Sequence, residues 1–538
     1  MPFSTPRTSR ALVAVAMSAT VAVGVATQTG SSTAAATTPT KLGVDLSTVS
    51  LTELRQLLAT GRLSSRELTE SYVDRIRLLN SRGPSLNAVR MLNPNAVDEA
   101  KASDQRLKKK APRGPLEGVP ILLKDNIDVR GLPTTAGNVA LASSYPADDA
   151  PLVRQLREAG AVILGKTNLS EFANFMTQGA NPSGYSSLGG QVLNPYDASQ
   201  TPSGSSSGSG VAMAVGMAAA TVGTETSGSI LSPSNANSVV GIKPTVGLIS
   251  RTGVIPISAT QDTAGPMTRS VADAAVMLTA MAGDDPEDPA TAGGPAPSTD
   301  YTKALSKTAL NGARIGFFQA TRDSDPVYDA SLGKLQDEGA MLVPVTISTT
   351  GQPPSILGYE FKRDLNAYLQ RLPADAPRKS MQDILEYNAA HADVALKFGQ
   401  AQFVESQKLD VSPGSADTAK YGVDKEDGIN WARQRIDGAL TGDPKDASDD
   451  LAAIAYPNSG SAGIGARALY PSIVVPAGYT STHRRPAGLS FLGTAFSEAT
   501  LIGLAYDFEQ ATKAWRPPAV VNPSLFRCAE QQAPGCAP

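Results

Sequence analysis

The run SGSSSGSGVAMAVGMAAATVG, from Ser203 to Gly223, restricts this chain more than any other segment. Its first part, with Thr201 and Pro202, has the serine and glycine content of a flexible linker. A linker would join two units that fold separately. The residues that follow directly, Val211 to Gly223, are small, apolar and almost uncharged. A helix of such residues must be packed tightly on all sides. Strand-like Ala220–Gly223 then leads into a second glycine turn, TETSGSI at 224–230, and no shift of composition separates the two flanks. The serines therefore sit inside a core, in a tight turn that feeds a buried helix. Such a turn can present backbone N–H groups and hydroxyls to a ligand.

The surrounding chain reads as α/β. Ser50–Glu53 and Ser64–Glu67 have capping-box spacing ahead of apolar patterns of helical period. Further helices are predicted near 94–110, 152–158 and 329–338. Buried strands are predicted at 121–129 (with the turn that follows), 161–166, 313–318, 341–347, 470–478 and 487–493. This alternation argues for a mostly parallel sheet. The acidic, Pro- and Gly-rich stretch 283–300 reads as a surface loop, and 350–450 as polar and helical with no legible motif. A length of 538 residues alone would suggest two to four domains.

A net charge of −3 provides no basic field for nucleic acid or acidic lipid, so both are discounted as partners. Arg7 and Arg10 precede a short apolar run, Ala11–Ala26, with small residues at 24–26 and again at 34–36. This predicts a cleaved signal peptide ending near 26 or 36, export, and no membrane contact after cleavage, with an uncleaved anchor as the lesser alternative. Ser-, Thr- and Ala-rich residues continue to Lys41 and are expected to be disordered. In an oxidising compartment the two cysteines, Cys528 and Cys536, are expected to close a small loop in the tail 521–538.

With two histidines, His391 and His483, and no HExxH motif, neither a histidine-based triad nor a zinc site is supported. Nucleotide-binding glycine motifs are absent as well. A serine nucleophile can still operate if a lysine serves as base, provided that burial lowers its pKa toward 7–8. Two lysines end apolar runs: Lys124 after VPILL and Lys166 after AVILG. Taken alone, either reads first as a strand-end residue paired with a carboxylate. The turn TETSGSI has the small residues that let successive N–H groups converge, as an oxyanion hole needs.

Taken together, these segments resemble the amidase signature family. The resemblance is carried by GVPILLKDNIDVRGLPTTAGN, AVILGKTNLSEFANF, NPYDASQTPSGSSSGSG, TETSGSI, KPTVGLISR and QDTAGPM, and later by YPSIVVPAG and GLSFLGTAFSE. It spans roughly 45–515, is thinnest over 320–460, and in wording is nearest the bacterial peptide amidases. The resemblance implies a catalytic unit of serine, cis-serine and lysine. Ser229 matches the nucleophile, Ser205 the bridging serine 24 positions earlier, and Lys124 the base, in preference to Lys166. It also implies an oxyanion hole from the N–H groups of Thr226, Ser227, Gly228 and Ser229, a cis Gly204–Ser205 peptide, and no metal or organic cofactor. Ser203, Ser207 and Ser227 stand where many members have glycine, and Leu231 where many have arginine. These departures bear on the pocket and local packing.

The implied fold is a single α/β domain over 45–520: a large mixed, mostly parallel β-sheet flanked by helices on both faces, with 350–450 shaping the substrate pocket. The expected protein is a secreted, monomeric serine hydrolase that removes ammonia from the C-terminal amide of peptides. A broader amidase or esterase for aryl, alkyl or fatty acyl groups is the alternative within enzymes. A secreted binding protein on an inactive amidase scaffold is the alternative of another class, opposed by the intact Lys124, Ser205 and Ser229. A transamidase subunit acting on charged tRNA is opposed by the export signal.

Overall fold

The computed structural model describes residues 42–295, 299–442, 449–481 and 484–526, which belong to one compact unit. The expected signal peptide, His483 and the cysteines Cys528 and Cys536 lie outside the described residues.

The main sheet has eleven strands. They are β1 (Val89–Leu92), β2 (Pro120–Lys124), β3 (Val162–Thr167), β6 (Ala220–Glu225), β7 (Val240–Lys243), β8 (Thr263–Thr268), β9 (Arg314–Phe317), β10 (Met341–Pro344), β11 (Ala453–Pro457), β12 (Ser472–Tyr479) and β13 (Pro486–Leu492). Two short strands, β4 (Tyr185–Ser186) and β5 (Gly190–Gln191), form a separate antiparallel hairpin. The spatial order is β1-β3-β2-β6-β8-β7-β12-β13-β11-β9-β10. The sheet is mixed, as the sequence implies. β3, β2 and β6 pair in parallel, as do β11, β9 and β10, and antiparallel pairing runs from β6 through β8, β7, β12 and β13 to β11.

Successive residues of a strand point to opposite faces. In β2, β3, β6, β7, β8 and β13 every residue is buried, so helices and loops cover both faces of the sheet there. This is why their sequences read as continuous apolar runs rather than alternating ones. The Ser64–Glu67 capping box is complete, starting the helix Ser65–Asn80. At Ser50 only the serine half forms, its side chain accepting from Glu53 N.

Two regions differ from expectation. The small-residue helix begins earlier, at Ser207, and ends at Ala214, because the chain must turn back into β6 at Ala220. The stretch from Gly283 is not a free surface loop. Asp285 and Asp288 are buried: Asp285 Oδ2 accepts from Ser250 Oγ and Thr252 Oγ1 (both 2.6 Å), and Asp288 pairs with Arg251. The region 350–442 is helical as expected, yet it carries its own apolar cluster. Phe361, Leu365, Met381 and Phe403 pack against Phe172 and Ile257, which brings this region beside the segments that follow β3 and precede β8.

Candidate active site

Lys124 ends β2 and Thr224 lies near the end of β6, so parallel pairing of β2 with β6 sets both at the same edge of the sheet. The turn 201–206 crosses this edge before entering the helix Ser207–Ala214. Its serines have separate tasks. Ser206 Oγ accepts from Thr224 N (3.2 Å) and donates to Thr224 O (3.1 Å), locking the turn to β6. Ser209 Oγ donates to Val222 O (3.1 Å), and Ser207 Oγ donates to Ser203 O (2.5 Å). Ser205 is left facing Lys124, after a cis Gly204–Ser205 peptide bond.

Lys124 Nζ lies 2.8 Å from Ser205 Oγ, 2.9 Å from Thr224 Oγ1 and 3.2 Å from Thr224 O, and it is fully buried. Burial pulls its pKa down from 10.5 to about 7, against the opposing pull of Asp262 and Glu225. Three partners match what a neutral amine offers, which is two N–H donors and one lone pair. The carbonyl of Thr224 can only accept, and Ser205 can donate to the lone pair. Asn126 Nδ2 also donates to Thr224 Oγ1 (2.9 Å), orienting that hydroxyl.

Lys166 has a different environment. It is equally buried but pairs with Asp125 Oδ1 (3.2 Å), and Asp125 also pairs with Arg90. The structure thus brings Lys124, not Lys166, to Ser205. A third buried lysine, Lys243 on β7, was not singled out by sequence. It donates to Tyr470 O (2.8 Å) and Pro244 O (3.1 Å), and burial lowers its pKa to about 8.

The turn 225–231 presents Ser229. Glu225 Oε2 accepts from Ile230 N (2.7 Å) and Leu231 N (2.9 Å), pinching the turn shut, and Gly228 takes a φ of +88° inside it. Ser206 N donates to Ser229 O (3.1 Å), so the two glycine turns are directly joined. Among the described residues, the backbone N–H groups of Thr226, Ser227, Gly228 and Ser229 donate to no group of the protein, and the Ser229 hydroxyl has no partner. Buried N–H groups are rarely left unused. Ser229 is 8% exposed and Ser227 is exposed, so this turn reaches the accessible surface.

Carboxylates to which the sequence assigned no role frame the site. Asp262 accepts from Thr226 Oγ1 (2.5 Å), Ile257 N (2.8 Å) and Ser258 N (2.9 Å), and burial raises its pKa to about 6. Glu360, from the helix Leu357–Arg371, accepts from Thr260 Oγ1 (2.6 Å), Tyr421 Oη (2.6 Å) and Ser258. The variable helical region is thereby tied to the segment that carries Asp262. Glu171 accepts from Asn138 Nδ2 (2.7 Å) and Ser187 Oγ (2.5 Å), and burial raises it to about 7. A cavity of about 420 Å³ lies behind Asp262, lined also by Asp128, Arg251, Tyr368 and Arg371; Lys124, Ser205 and Ser229 do not line it. Among the described residues, no three His, Cys, Asp or Glu side chains gather as a metal site would need. His391 is exposed and stacks on Tyr387, away from these groups.

Residues 67–441 match the family described as Amidase. A probable amidase of Arabidopsis thaliana is 39% identical over 486 residues, covering 87% of this chain and 91% of that protein. A solved peptide amidase of Stenotrophomonas maltophilia is 43% identical with a TM-score of 0.80, over 87% of this chain and 98% of that one. An amidase family protein of Bacillus anthracis is 36% identical with a TM-score of 0.81, over 87% and 92% respectively.

Proposed function

This chain belongs to the amidase family and is an amide-hydrolysing enzyme; on that premise we propose that it cleaves the C-terminal amide of peptides through Ser229, Ser205 and Lys124. The observation that carries the reading is the buried Lys124 amine, with its lowered pKa, 2.8 Å from Ser205 Oγ. A lysine that is neutral near pH 7 can accept a proton, and the residue after Ser205, Ser206, joins the Ser205 turn to the turn that bears Ser229 by donating its N–H to Ser229 O (3.1 Å).

In this mechanism the lone pair of Lys124 takes the Ser205 proton as Ser205 Oγ takes the proton of Ser229. Ser229 Oγ bonds to the amide carbon, and the carbonyl π pair moves to oxygen. The unused N–H groups of 226–229 receive that oxyanion, each important donor contributing about 3–4 kcal/mol. Ammonia leaves as the tetrahedral intermediate collapses, its proton returned from Lys124 through Ser205. Water then attacks the acyl-Ser229 ester, giving its proton to the same relay, and Ser229 leaves as the hydroxyl. Peptide amides are the proposed substrates because of the likeness in sequence and fold to the Stenotrophomonas peptide amidase. We also propose that the enzyme is exported, on the basis of Arg7, Arg10 and the apolar run after them.

The test is ammonia release from a panel of peptide amides, anilides and fatty amides, with Ser229→Ala alongside. Release from peptide amides that disappears in the variant supports the reading. Full activity in the variant overturns the mechanism. Activity confined to anilides or fatty amides overturns the substrate assignment.

A further inference from the structure

Three consecutive residues, Phe172, Ala173 and Asn174, have φ of +44°, +54° and +72°. A Cβ disfavours this left-handed backbone, and of the three only asparagine adopts it readily. Runs of this kind persist where the surroundings enforce them, and they gather at ligand-binding positions. Here the surroundings do so on both sides. Phe172 N donates to Ala136 O (2.9 Å), and its ring packs edge-on against Phe403 at 4.7 Å between centroids. The Phe175 ring meets Phe361 in the same way at 4.9 Å. Upstream, Ser170 N donates to Ser205 O (3.0 Å), so this turn and the Ser205 turn are one unit.

What this backbone positions is the Asn174 amide. Its nitrogen lies 3.3 Å from the point that a Cβ on Gly204 would occupy, beside the residue that precedes Ser205. Asn174 and Gly204 are half-buried, whereas Ser205 is closed off, so the accessible edge of the site runs over Gly204 and Asn174. Among the described residues, the Asn174 side chain makes no hydrogen bond within the protein. An amide side chain offers an acceptor and two donors. A peptide unit of the acyl chain offers one acceptor and one donor.

We propose that Asn174 is a substrate-binding residue that pairs with main-chain N–H and C=O groups of the acyl portion, favouring an extended peptide over a simple amide. This rests on the peptide-amide reading above. A site built to hydrogen-bond its substrate discriminates against an analogue lacking those groups, because its own polar atoms are then left unpaired.

The test is the ratio of kcat/KM for an N-acetyl dipeptide amide to kcat/KM for hexanamide, both of which release ammonia. Asn174→Gly removes the side chain and keeps the left-handed backbone; Asn174→Asp keeps the volume and removes the donors. Both variants should lower the ratio, Asn174→Gly by about tenfold, the loss expected for one or two hydrogen bonds. Should the glycine variant fail to fold, the aspartate variant decides alone. A wild-type enzyme that prefers the dipeptide amide, with the ratio unchanged in the folded variants, overturns the role of Asn174 alone. A wild-type enzyme that ignores the dipeptide amide overturns the peptide reading and this assignment together.

Discussion

Replacing Lys124 by methionine should abolish activity and, at pH 6, make the protein more stable. A lysine held at about 7 in the fold, against its ordinary 10.5, binds fewer protons folded than unfolded between those values. The cost to stability is therefore present in full below pH 7, fades as pH rises, and is gone above 10.5. At about 1.4 kcal/mol per pH unit it amounts to roughly 5 kcal/mol below pH 7 and roughly 2 kcal/mol at pH 9. Methionine removes this cost and loses the three contacts of Nζ. Thr224 keeps other partners, since Asn126 Nδ2 donates to its Oγ1 and Ser206 Oγ to its carbonyl. Ser205 Oγ is the atom left without a partner, at about 2 kcal/mol. The variant should gain roughly 3 kcal/mol at pH 6 and nothing at pH 9, with activity down by at least about 10²-fold. Urea unfolding of both proteins from pH 6 to 9, alongside ammonia release, measures this. A variant less stable at pH 6, or a gap that does not change with pH, would refute the account of a neutral buried amine.

The other predictions concern neighbouring groups. Lys166→Met should destabilise at every pH near neutrality, by about 3 kcal/mol, because it takes from the buried Asp125 one of its two cationic partners and leaves Arg90 and the Thr135 hydroxyl; urea unfolding that shows a gain would contradict the pairing. The wild-type kcat/KM should fall below about pH 7 as Lys124 gains a proton, and Asp262→Asn should move that fall to lower pH, since the lost carboxylate favours the ammonium form. A pH profile with the limb unmoved, or moved upward, would contradict the coupling. Gly204→Ala should lower both stability, by about 1–3 kcal/mol, and activity, because its Cβ would stand 2.5 Å from Ser170 Oγ; adding Ser170→Ala should recover part of the loss in the same assays.

Much of this site could be read before the fold was known, because its parts sit in unusual local sequence. Lysines at the ends of apolar runs are conspicuous, and so are two serine–glycine turns flanking a small-residue helix. The residues alone could not separate Lys124 from Lys166. The carboxylate beside Lys124 in sequence is Asp125, yet Asp125 serves Lys166. Neighbouring residues at a strand end point opposite ways, so the acid next to Lys124 in sequence is turned toward Lys166. Lys243 escaped notice because its apolar context, VVGI, is short. Asp262 lies within QDTAGPM and Glu360 within no motif, yet the role of neither was legible, for another reason. Each is a single carboxylate, and the groups that make it matter, Thr226 for Asp262 and Thr260 for Glu360, lie 36 and 100 positions away. The acidic stretch after Gly283 looked like solvent-facing loop because charge and proline usually mean that. Its buried aspartates find hydroxyl and guanidinium partners at 250–252, a match that only tertiary structure reveals.

The proposed mechanism requires that Ser229 carry the acyl group. Brief reaction of the enzyme with an organophosphorus fluoride, followed by proteolysis and mass spectrometry, tests it directly. One phosphoryl adduct is expected, on the peptide containing Ser229, lost in Ser229→Ala and slowed in Lys124→Met. An adduct on another residue, or labelling that persists undiminished in Ser229→Ala, would contradict it.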